Sequence, residues 1–337
     1  MRRSRMWSVG AVACLVTVLA GCGADLTKQT FPRSTVPATA DLGGGPADPT
    51  TATSGGGVTG DEAFATKNLR RLDPCGLLNE DALAEFGTPA NSRLRDYDKC
   101  SNYMKDKNGK ELNFSLTVGE SLSGTSADGT FKIGGLPATE SELEDKTACF
   151  INVITENSPK RAITLQMGGP GGLCEPGRKM MESIVKQVRA GAEPLKLAKG
   201  TLVDLDPCEV LDDSVVTSTI GESAEKQLTT LHTCDWNLSG ASFDVTFDIS
   251  SNPDDLADAA ETTPVDLGNG VKAQKKAEKS SGDRCRLEWA HAPFPPDREV
   301  AEVVSVEFSR YSTQAGEDTC AKVEAVAKAL IPKLPKG

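Results

Sequence analysis

Leu72-Asp73-Pro74-Cys75 and, 133 residues later, Leu205-Asp206-Pro207-Cys208 are the stretches that decide the fold of this chain. Asp at a helix N-cap accepts a hydrogen bond from a backbone N–H two or three residues on, and Pro suits the first helical position because its missing N–H would be unpaired there. Each copy is followed by apolar residues at helical spacing and then by a glycine, Gly87 or Gly221, which is typical of a helix end. Each tetrapeptide therefore predicts the start of a helix.

Each tetrapeptide also opens a run of four cysteines. The first run is separated by 25, 49 and 25 residues and the second by 26, 51 and 35, at Cys75, Cys100, Cys149 and Cys174, then Cys208, Cys234, Cys285 and Cys320. The first two intervals match closely and the third carries an insertion. We interpret the chain as one disulfide-stapled unit used twice, a first repeat over 67–194 and a second over 195–337.

Strand and helix patterns recur in both repeats. Apolar residues alternate with polar ones at Leu112–Val118, Cys149–Val153 and Ile163–Met167, and again at Phe243–Ile249, Cys285–Trp289 and Val304–Phe308. Helical spacing closes each repeat, at Met181, Ile184, Val185 and Val188 and at Val323, Val326, Ala327 and Leu330. We expect an α+β fold of two similar domains, each an antiparallel sheet flanked by an N-terminal and a C-terminal helix.

Four cysteines allow three connectivities in each repeat. The second and third cysteines share strand parity with buried residues such as Trp236 and Trp289, whereas the first and fourth begin helices. We therefore expect strand cysteines to pair together and helix cysteines to pair together, at Cys100–Cys149, Cys75–Cys174, Cys234–Cys285 and Cys208–Cys320. A zinc site would need closer ligands than a spacing of 25 residues, so no metal is expected.

The N-terminus predicts export. Residues 1–22 have a basic start, an apolar middle and the ending Leu19-Ala20-Gly21-Cys22, the layout of a signal peptide. That ending resembles the lipobox of bacterial lipoproteins, which implies lipidation of Cys22 and a membrane anchor on the extracytoplasmic face. An ordinary signal peptide that leaves Cys22 as a free thiol is the alternative. With Cys14 removed and Cys22 acylated, the eight remaining cysteines divide evenly, and an exported location favours disulfides.

Residues 23–66 are rich in Gly, Thr, Ala, Ser and Pro and predict a flexible tether, because they offer little apolar surface to bury. Loss of three arginines with the signal leaves 34 basic against 48 acidic residues, a net charge of −14. Such an acidic chain is a poor partner for nucleic acid or for anionic lipid headgroups. Contact with the membrane is therefore expected through the lipid alone.

No catalytic constellation emerges from the remaining motifs. His232 and His291 have no counterparts in the first repeat, and His232, just ahead of a strand, is expected to be exposed or to cap a turn. The Gly168–Gly172 run imitates a phosphate loop poorly, since Arg178-Lys179-Met180 replaces its Lys-Ser/Thr step, and predicts a tight connection. Acidic clusters at 140–145 and 254–258 lack calcium-loop spacing and are expected to be solvated. Trp236 and Trp289 are expected in the core.

Together these features resemble the actinobacterial lipoproteins of domain-of-unknown-function family 3558. The resemblance rests on the signal with Cys22, the tether, the Asp-Pro-Cys start, Cys234-Asp235-Trp236, and the final helix ending Ala329-Leu330-Ile331-Pro332. It is weaker in the first repeat, where Cys100-Ser101-Asn102 replaces Cys-x-Trp. The resemblance implies location and lineage, in tandem duplicate, but no active site.

We expect a non-enzymatic envelope lipoprotein that binds a wall component, a small ligand or another exported protein, with no cofactor. A carrier of a lipid or small hydrophobic ligand is one alternative. An exported hydrolase or redox enzyme using His232, His291 or an unpaired cysteine is the other.

Overall fold

The computed structural model describes residues 61–122, 131–257, 261–279, 282–294 and 300–336. The predicted signal peptide, Cys22 and residues 23–60 of the predicted tether lie outside these ranges. Residues 61–66 were predicted as the end of the tether, yet Glu62–Phe64 forms a 3-10 turn whose Phe64 is buried in the first core. The folded part therefore includes residues 61–66, ahead of the predicted boundary at residue 67.

The first repeat has three short helices, then eight strands, then one longer helix. The helices are α1 (Thr66–Leu69), α2 (Pro74–Leu77), α3 (Glu80–Ala84) and α4 (Cys174–Arg189). The strands are β1 (Gly87–Thr88), β2 (Arg93–Asp96), β3 (Lys99–Asp106), β4 (Glu111–Ser121), β5 (Phe131–Ile133), β6 (Leu136–Glu142), β7 (Ala148–Asn157) and β8 (Lys160–Gly168).

The second repeat begins with a turn at its tetrapeptide and ends with a helix and a short 3-10 turn, Ile331–Lys333. Its helices are α5 (Asp213–Ile220) and α6 (Thr319–Leu330). Its strands are β9 (Glu225–Leu228), β10 (Thr233–Leu238), β11 (Ala241–Ser251), β12 (Thr263–Gly268), β13 (Val271–Glu278), β14 (Asp283–Pro293) and β15 (Val300–Arg310).

The fold is α+β, with two antiparallel sheets of eight and seven strands, as expected. The first sheet runs β1-β3-β4-β8-β7-β6-β5 with β2 also on β3, and the second runs β12-β13-β14-β15-β11-β10-β9. The predicted alternations all lie in strands, and their apolar residues face two buried cores. Helix α4 packs on β5–β8 and α6 packs on β12, β14 and β15 through the predicted apolar stripes. Both sheets belong to one compact unit.

The two tetrapeptides cap as predicted, but neither starts a long helix. Asp73 Oδ1 accepts from the Cys75 N–H at 2.9 Å, and Asp206 Oδ1 accepts from the Cys208 N–H at the same distance. After the first copy the chain leaves helical geometry at Leu78, and Asn79 caps α3 as a separate helix. After the second copy it makes only a turn before α5. Gly221 ends α5 with φ 137°, whereas Gly87 lies in β1.

All eight expected cysteines form disulfides, but the expected pairing is wrong. The observed bridges join the first cysteine to the second and the third to the fourth, at Cys75–Cys100, Cys149–Cys174, Cys208–Cys234 and Cys285–Cys320. The physical reason is the strand order. Strands β3 and β7 are separated by β4 and β8, and β10 and β14 by β11 and β15. Cysteines on these strands are therefore three inter-strand spacings apart, about 14 Å, whereas a disulfide joins Cα atoms that lie within about 7 Å of each other.

Removal of one bridge tests this pairing. The variant Cys285→Ala with Cys320→Ala opens a loop of 35 residues and is expected to lower the free energy of unfolding by about 4 kcal/mol in the chain-entropy model. Urea unfolding measures the loss. A thiol count on the unreduced variant, with Cys22 acylated, should find no free thiol. Two free thiols would show that Cys208 and Cys234 pair with the removed residues instead.

Candidate functional site

The second tetrapeptide binds the first repeat through a buried ion pair. Arg70 is 6% exposed, and its Nη2 lies 2.6 Å from Asp206 Oδ2. Its Nε donates to the Leu231 carbonyl at 2.9 Å. Since Asp206 Oδ1 caps its own turn, one carboxylate both shapes the second repeat and holds it to the first.

A second buried arginine makes a parallel contact. Arg161, 3% exposed, donates from Nη2 to the Leu228 carbonyl and pairs through Nη1 with Glu156 at 2.9 Å. Burial lowers the pKa of Arg161, and the charge of Glu156 opposes that shift. Two guanidinium groups of the first repeat thus bind carbonyls on either side of the turn between β9 and β10.

Tyr97 provides the third contact of the junction, beside His232. Its ring is fully buried and its hydroxyl donates to Glu302 Oε2 at 2.7 Å. The same oxygen accepts from Thr201 Oγ1 at 3.0 Å and from the Leu202 N–H at 2.7 Å. Burial and the charge of Glu302 raise the pKa of Tyr97, which keeps its hydroxyl a donor. Glu302 is thereby satisfied by three donors.

His232 lies inside this junction, so the expectation of an exposed or capping residue is wrong. It is 3% exposed, its ring centroid lies 4.8 Å from that of Tyr97, and burial lowers its pKa to about 3. Neither ring nitrogen has a hydrogen-bond partner among the described residues. The neighbouring Leu231 fits closely because Gly119 has no side chain: a Cβ there would lie 2.4 Å from Leu231 Cγ. His232 is therefore a neutral packing residue.

Three carboxyl groups near the junction have raised pKa values. Asp96 Oδ1 accepts from the Tyr97 N–H at 2.7 Å and, across the junction, from the Ile249 N–H at 3.0 Å. Burial raises the pKa of Asp96 to about 7, and the charge of Asp98 adds to the rise. Burial likewise raises the pKa of Asp98 and of Asp248 to about 7, with the charge of Asp96 contributing at Asp248. No sequence motif marks this group, because Asp96 and Asp98 lie at the β2–β3 turn of the first repeat whereas Asp248 lies in β11 of the second.

A cleft of about 490 Å³ opens at one end of the second sheet. Its size is within the range of small-ligand sites. It lies between the β12–β13 turn, the end of β14 and the segment after α6; the lining residues are Asn269, Val271, Trp289, Ala290, His291, Ile331, Pro332, Leu334, Pro335 and Lys336. Most are apolar, Lys336 carries the single charged side chain, and none of these described lining residues is acidic. In a chain with an acidic excess, this composition favours an apolar ligand bearing negative charge.

His291 lies at a β-bulge, the feature that interrupts β14 at the cleft. The pairing of β14 with β15 shifts between Ala290 and Ala292, which leaves His291 as the extra residue. Bulges re-aim side chains and are common beside functional sites. Its Nε2 lies 2.9 Å from the Gly200 carbonyl, to which it must donate, so Nδ1 is the ring nitrogen that a ligand could use.

The other sequence-based expectations have simple outcomes. Trp236 and Trp289 are buried in the second core, as expected.

Gly168 ends β8 and the glycine run makes a tight connection to α4, where Arg178 pairs with Glu140 at 2.6 Å. Glu140 also lies near the sulfurs of Cys149 and Cys174, but these are bonded to each other and are not thiolate ligands. In the 254–258 cluster, Asp254 accepts from Gln274 at 2.8 Å, and Asp258 lies outside the described residues.

The raised carboxyl pKa values predict that the junction is more stable at mildly acidic pH. For a carboxyl with pKa near 3.8 unfolded and about 7 folded, the folded state binds more protons between these values, so stability falls as pH rises from about 4 to 7. Melting temperatures should be higher at pH 5 than at pH 8. Asp96→Asn, which keeps the Oδ1 acceptor, should reduce that difference, whereas Asp266→Asn at an exposed position should not. A wild-type melting temperature that rises from pH 5 to pH 8 would contradict this.

Comparison with known proteins adds no functional information. No protein-family model, no curated protein and no solved structure matches the chain. Within the described ranges, no helix combines the length and the apolar character that crossing a bilayer requires.

Proposed function

We propose that this chain is a non-enzymatic binding module of the cell envelope, exported and held to the extracytoplasmic face of the cell membrane by lipid on Cys22. It is a tandem duplicate that resembles the lipoproteins of domain-of-unknown-function family 3558. Its partner is another exported protein, a wall component or a small ligand, and not nucleic acid.

The sheet connections support the duplication. Strands β2, β3, β4, β8, β7, β6 and β5 are neighbours in that order, and β9, β10, β11, β15, β14, β13 and β12 follow the same order. The disulfides occupy the same places in both, and a bulge lies six residues after the third cysteine in each, at Thr155 and at His291. We therefore infer that the two repeats are similar domains, each with helices around its sheet.

The cleft beside Trp289 is the observation that carries a binding function. It is an apolar concavity with one cation and one imidazole, on a frame held by four disulfides and the buried junction. Such a frame keeps the cleft preorganised, which lowers the entropy lost on binding.

The cleft also favours a second candidate, carriage of a small hydrophobic ligand. The enzyme alternative has less support. A redox role needed an unpaired cysteine, and all eight cysteines of the repeats are bridged. A hydrolase would need one of the histidines as base: burial lowers the pKa of His232 to about 3, which leaves His291, whose Nε2 donates to the Gly200 carbonyl, as the candidate base.

Mass spectrometry of protein taken from its own membrane tests the proposal. The intact mass should begin at Cys22 and include acyl chains, and the protein should partition with the membrane; Cys22→Ala is the matched control and should lack the acyl mass. Native spectra and cross-linking before extraction should find a retained ligand or a recurring partner that contacts the cleft.

A mature chain without acyl mass at Cys22 would contradict the anchor. Membrane-extracted protein that turns over a substrate, with activity lost in His291→Ala, would contradict a non-enzymatic role. A retained lipid in place of a protein or wall partner would select the carrier alternative.

A further inference from the structure

The elements that surround the cleft have counterparts in the first repeat. The turn Gly134-Gly135 joins β5 to β6 as Asn269-Gly270 joins β12 to β13, and all four residues have positive φ. The cysteines near the start of the two closing helices, Cys174 and Cys320, give a common origin for counting. Counted from them, Val185 corresponds to Ile331, Val188 to Leu334 and Arg189 to Pro335. The two repeats can therefore be compared at this place by sequence position, although α4 stays helical to Arg189 whereas α6 ends at Leu330.

In the first repeat the place is filled by the chain itself. Phe64, 2% exposed, packs into the first core, and the Arg189 guanidinium lies 5.4 Å from its ring centroid. Arg189 also donates to the Gly134 carbonyl and pairs with Asp61 at 2.8 Å through Nε. The segment Asp61–Phe64 thus supplies one aromatic ring and, three residues earlier, one carboxylate to the space between the turn and the helix end.

In the second repeat the same place is wider. A Cβ on Gly134 would lie 2.5 Å from Val185 Cγ1, so the first turn touches its helix only because it has glycine. Asn269 stands at the corresponding position with φ 55° and does carry a Cβ. It lines the cleft together with Ile331, the counterpart of Val185. The substitution of glycine by asparagine holds the second turn away from its helix.

The second repeat also lacks a segment to fill this space. The two tetrapeptides are 133 residues apart, so the positions in the second repeat that correspond to Asp61–Phe64 are 194–197. Pro194 pairs with Leu72 of the first repeat as a β-bridge, and the Leu195 N–H donates to the Arg71 carbonyl. None of the residues 194–197 lines the cleft. Leu195 and Leu197 also pack against the second core, but outside the cleft, so this segment does not cover the cleft as Asp61–Phe64 covers its counterpart.

We infer that the cleft receives a short segment of a partner protein whose chemistry matches Asp61–Phe64: a large aromatic side chain with a carboxylate about three residues before it. The ring would lie against Trp289 and Leu334, and the carboxylate would face Lys336, which follows the counterpart of Arg189. This inference rests on the proposed binding function and narrows the partner to a peptide segment.

The probe is the acetylated peptide Asp61-Glu62-Ala63-Phe64-Ala65-Thr66, added to the full chain. Calorimetry gives its affinity, and the indole N–H resonances of Trp289 and Trp236 report the site. The Trp289 resonance is expected to shift while that of Trp236, which does not line the cleft, stays fixed. Replacing Phe by Ala in the peptide should weaken binding at least about tenfold, the change expected for losing one buried aromatic side chain.

Three variants of the protein, one of them a matched control, locate the contact. Lys336→Glu should weaken binding about threefold at low salt, as expected for an exposed ion pair, whereas Lys333→Glu, on the adjacent turn and outside the lining, should bind as wild type. Ala290→Trp should fill the cleft and abolish the Trp289 shift, with an unchanged melting temperature as the check on folding. The inference is overturned if the peptide leaves Trp289 unshifted, if palmitate alone shifts it, or if the cleft closes on a second copy of the chain at high concentration.

These outcomes separate the inference from the proposed function. If the peptide fails but Ala290→Trp protein still captures its partner from the membrane, the inference is wrong and the binding module stands. If the membrane protein captures no partner or ligand, the proposed function itself is wrong.

Discussion

The rest of the structure depends on two buried arginines that must find acceptors. Arg70 and Arg161 are at most 6% exposed, and an uncompensated buried guanidinium costs several kcal/mol. Arg70 finds its acceptors in the second repeat, Asp206 and the Leu231 carbonyl, whereas Arg161 pairs with Glu156 of its own repeat and donates across the junction to the Leu228 carbonyl. The relative position of the two repeats is therefore constrained by polar groups with defined geometry, beside the apolar packing of Leu231 in the first core and Tyr97 in the second.

The aspartate of the Leu-Asp-Pro-Cys tetrapeptide makes different contacts in the two copies, because different residues surround it. In the first copy, Asp73 caps a helix and donates its backbone N–H to the Glu193 carbonyl of the linker. In the second copy, Asp206 caps a turn and uses its remaining oxygen for Arg70. The duplicated motif thus places the start of the second repeat against the first, and Glu193 and Leu195 of the connecting segment hydrogen-bond to the first repeat on either side of the β-bridge at Pro194.

Local patterns in the sequence predicted strands β4, β7, β8, β11, β14 and β15, the closing helices, the disulfide-bonded state of the eight cysteines and the buried tryptophans. The shorter and more polar strands carry no such pattern. The disulfide pairing was not predictable in this way. Strand parity places Cys100 and Cys149 on the core face, but only the strand order shows that two strands separate them. Likewise nothing local to Leu231 and His232 reveals Gly119, which packs on Leu231 from the other repeat, or Tyr97, which packs on His232. The cleft depends on Asn269 in place of Gly134, a difference that has meaning only once the helix beside it is known.

A double-mutant cycle on Arg70 and Asp206 tests most directly whether the junction makes the two repeats one folded unit. Arg70→Met should lower the free energy of unfolding by about 3 kcal/mol, because Asp206 and the Leu231 carbonyl lose a buried partner. With Asp206→Asn, which keeps the cap on Cys208, the coupling energy should be about 1 kcal/mol or more. The wild type should unfold in a single transition. Additive single-variant effects, with two separate transitions already present in the wild type, would show that the repeats fold independently.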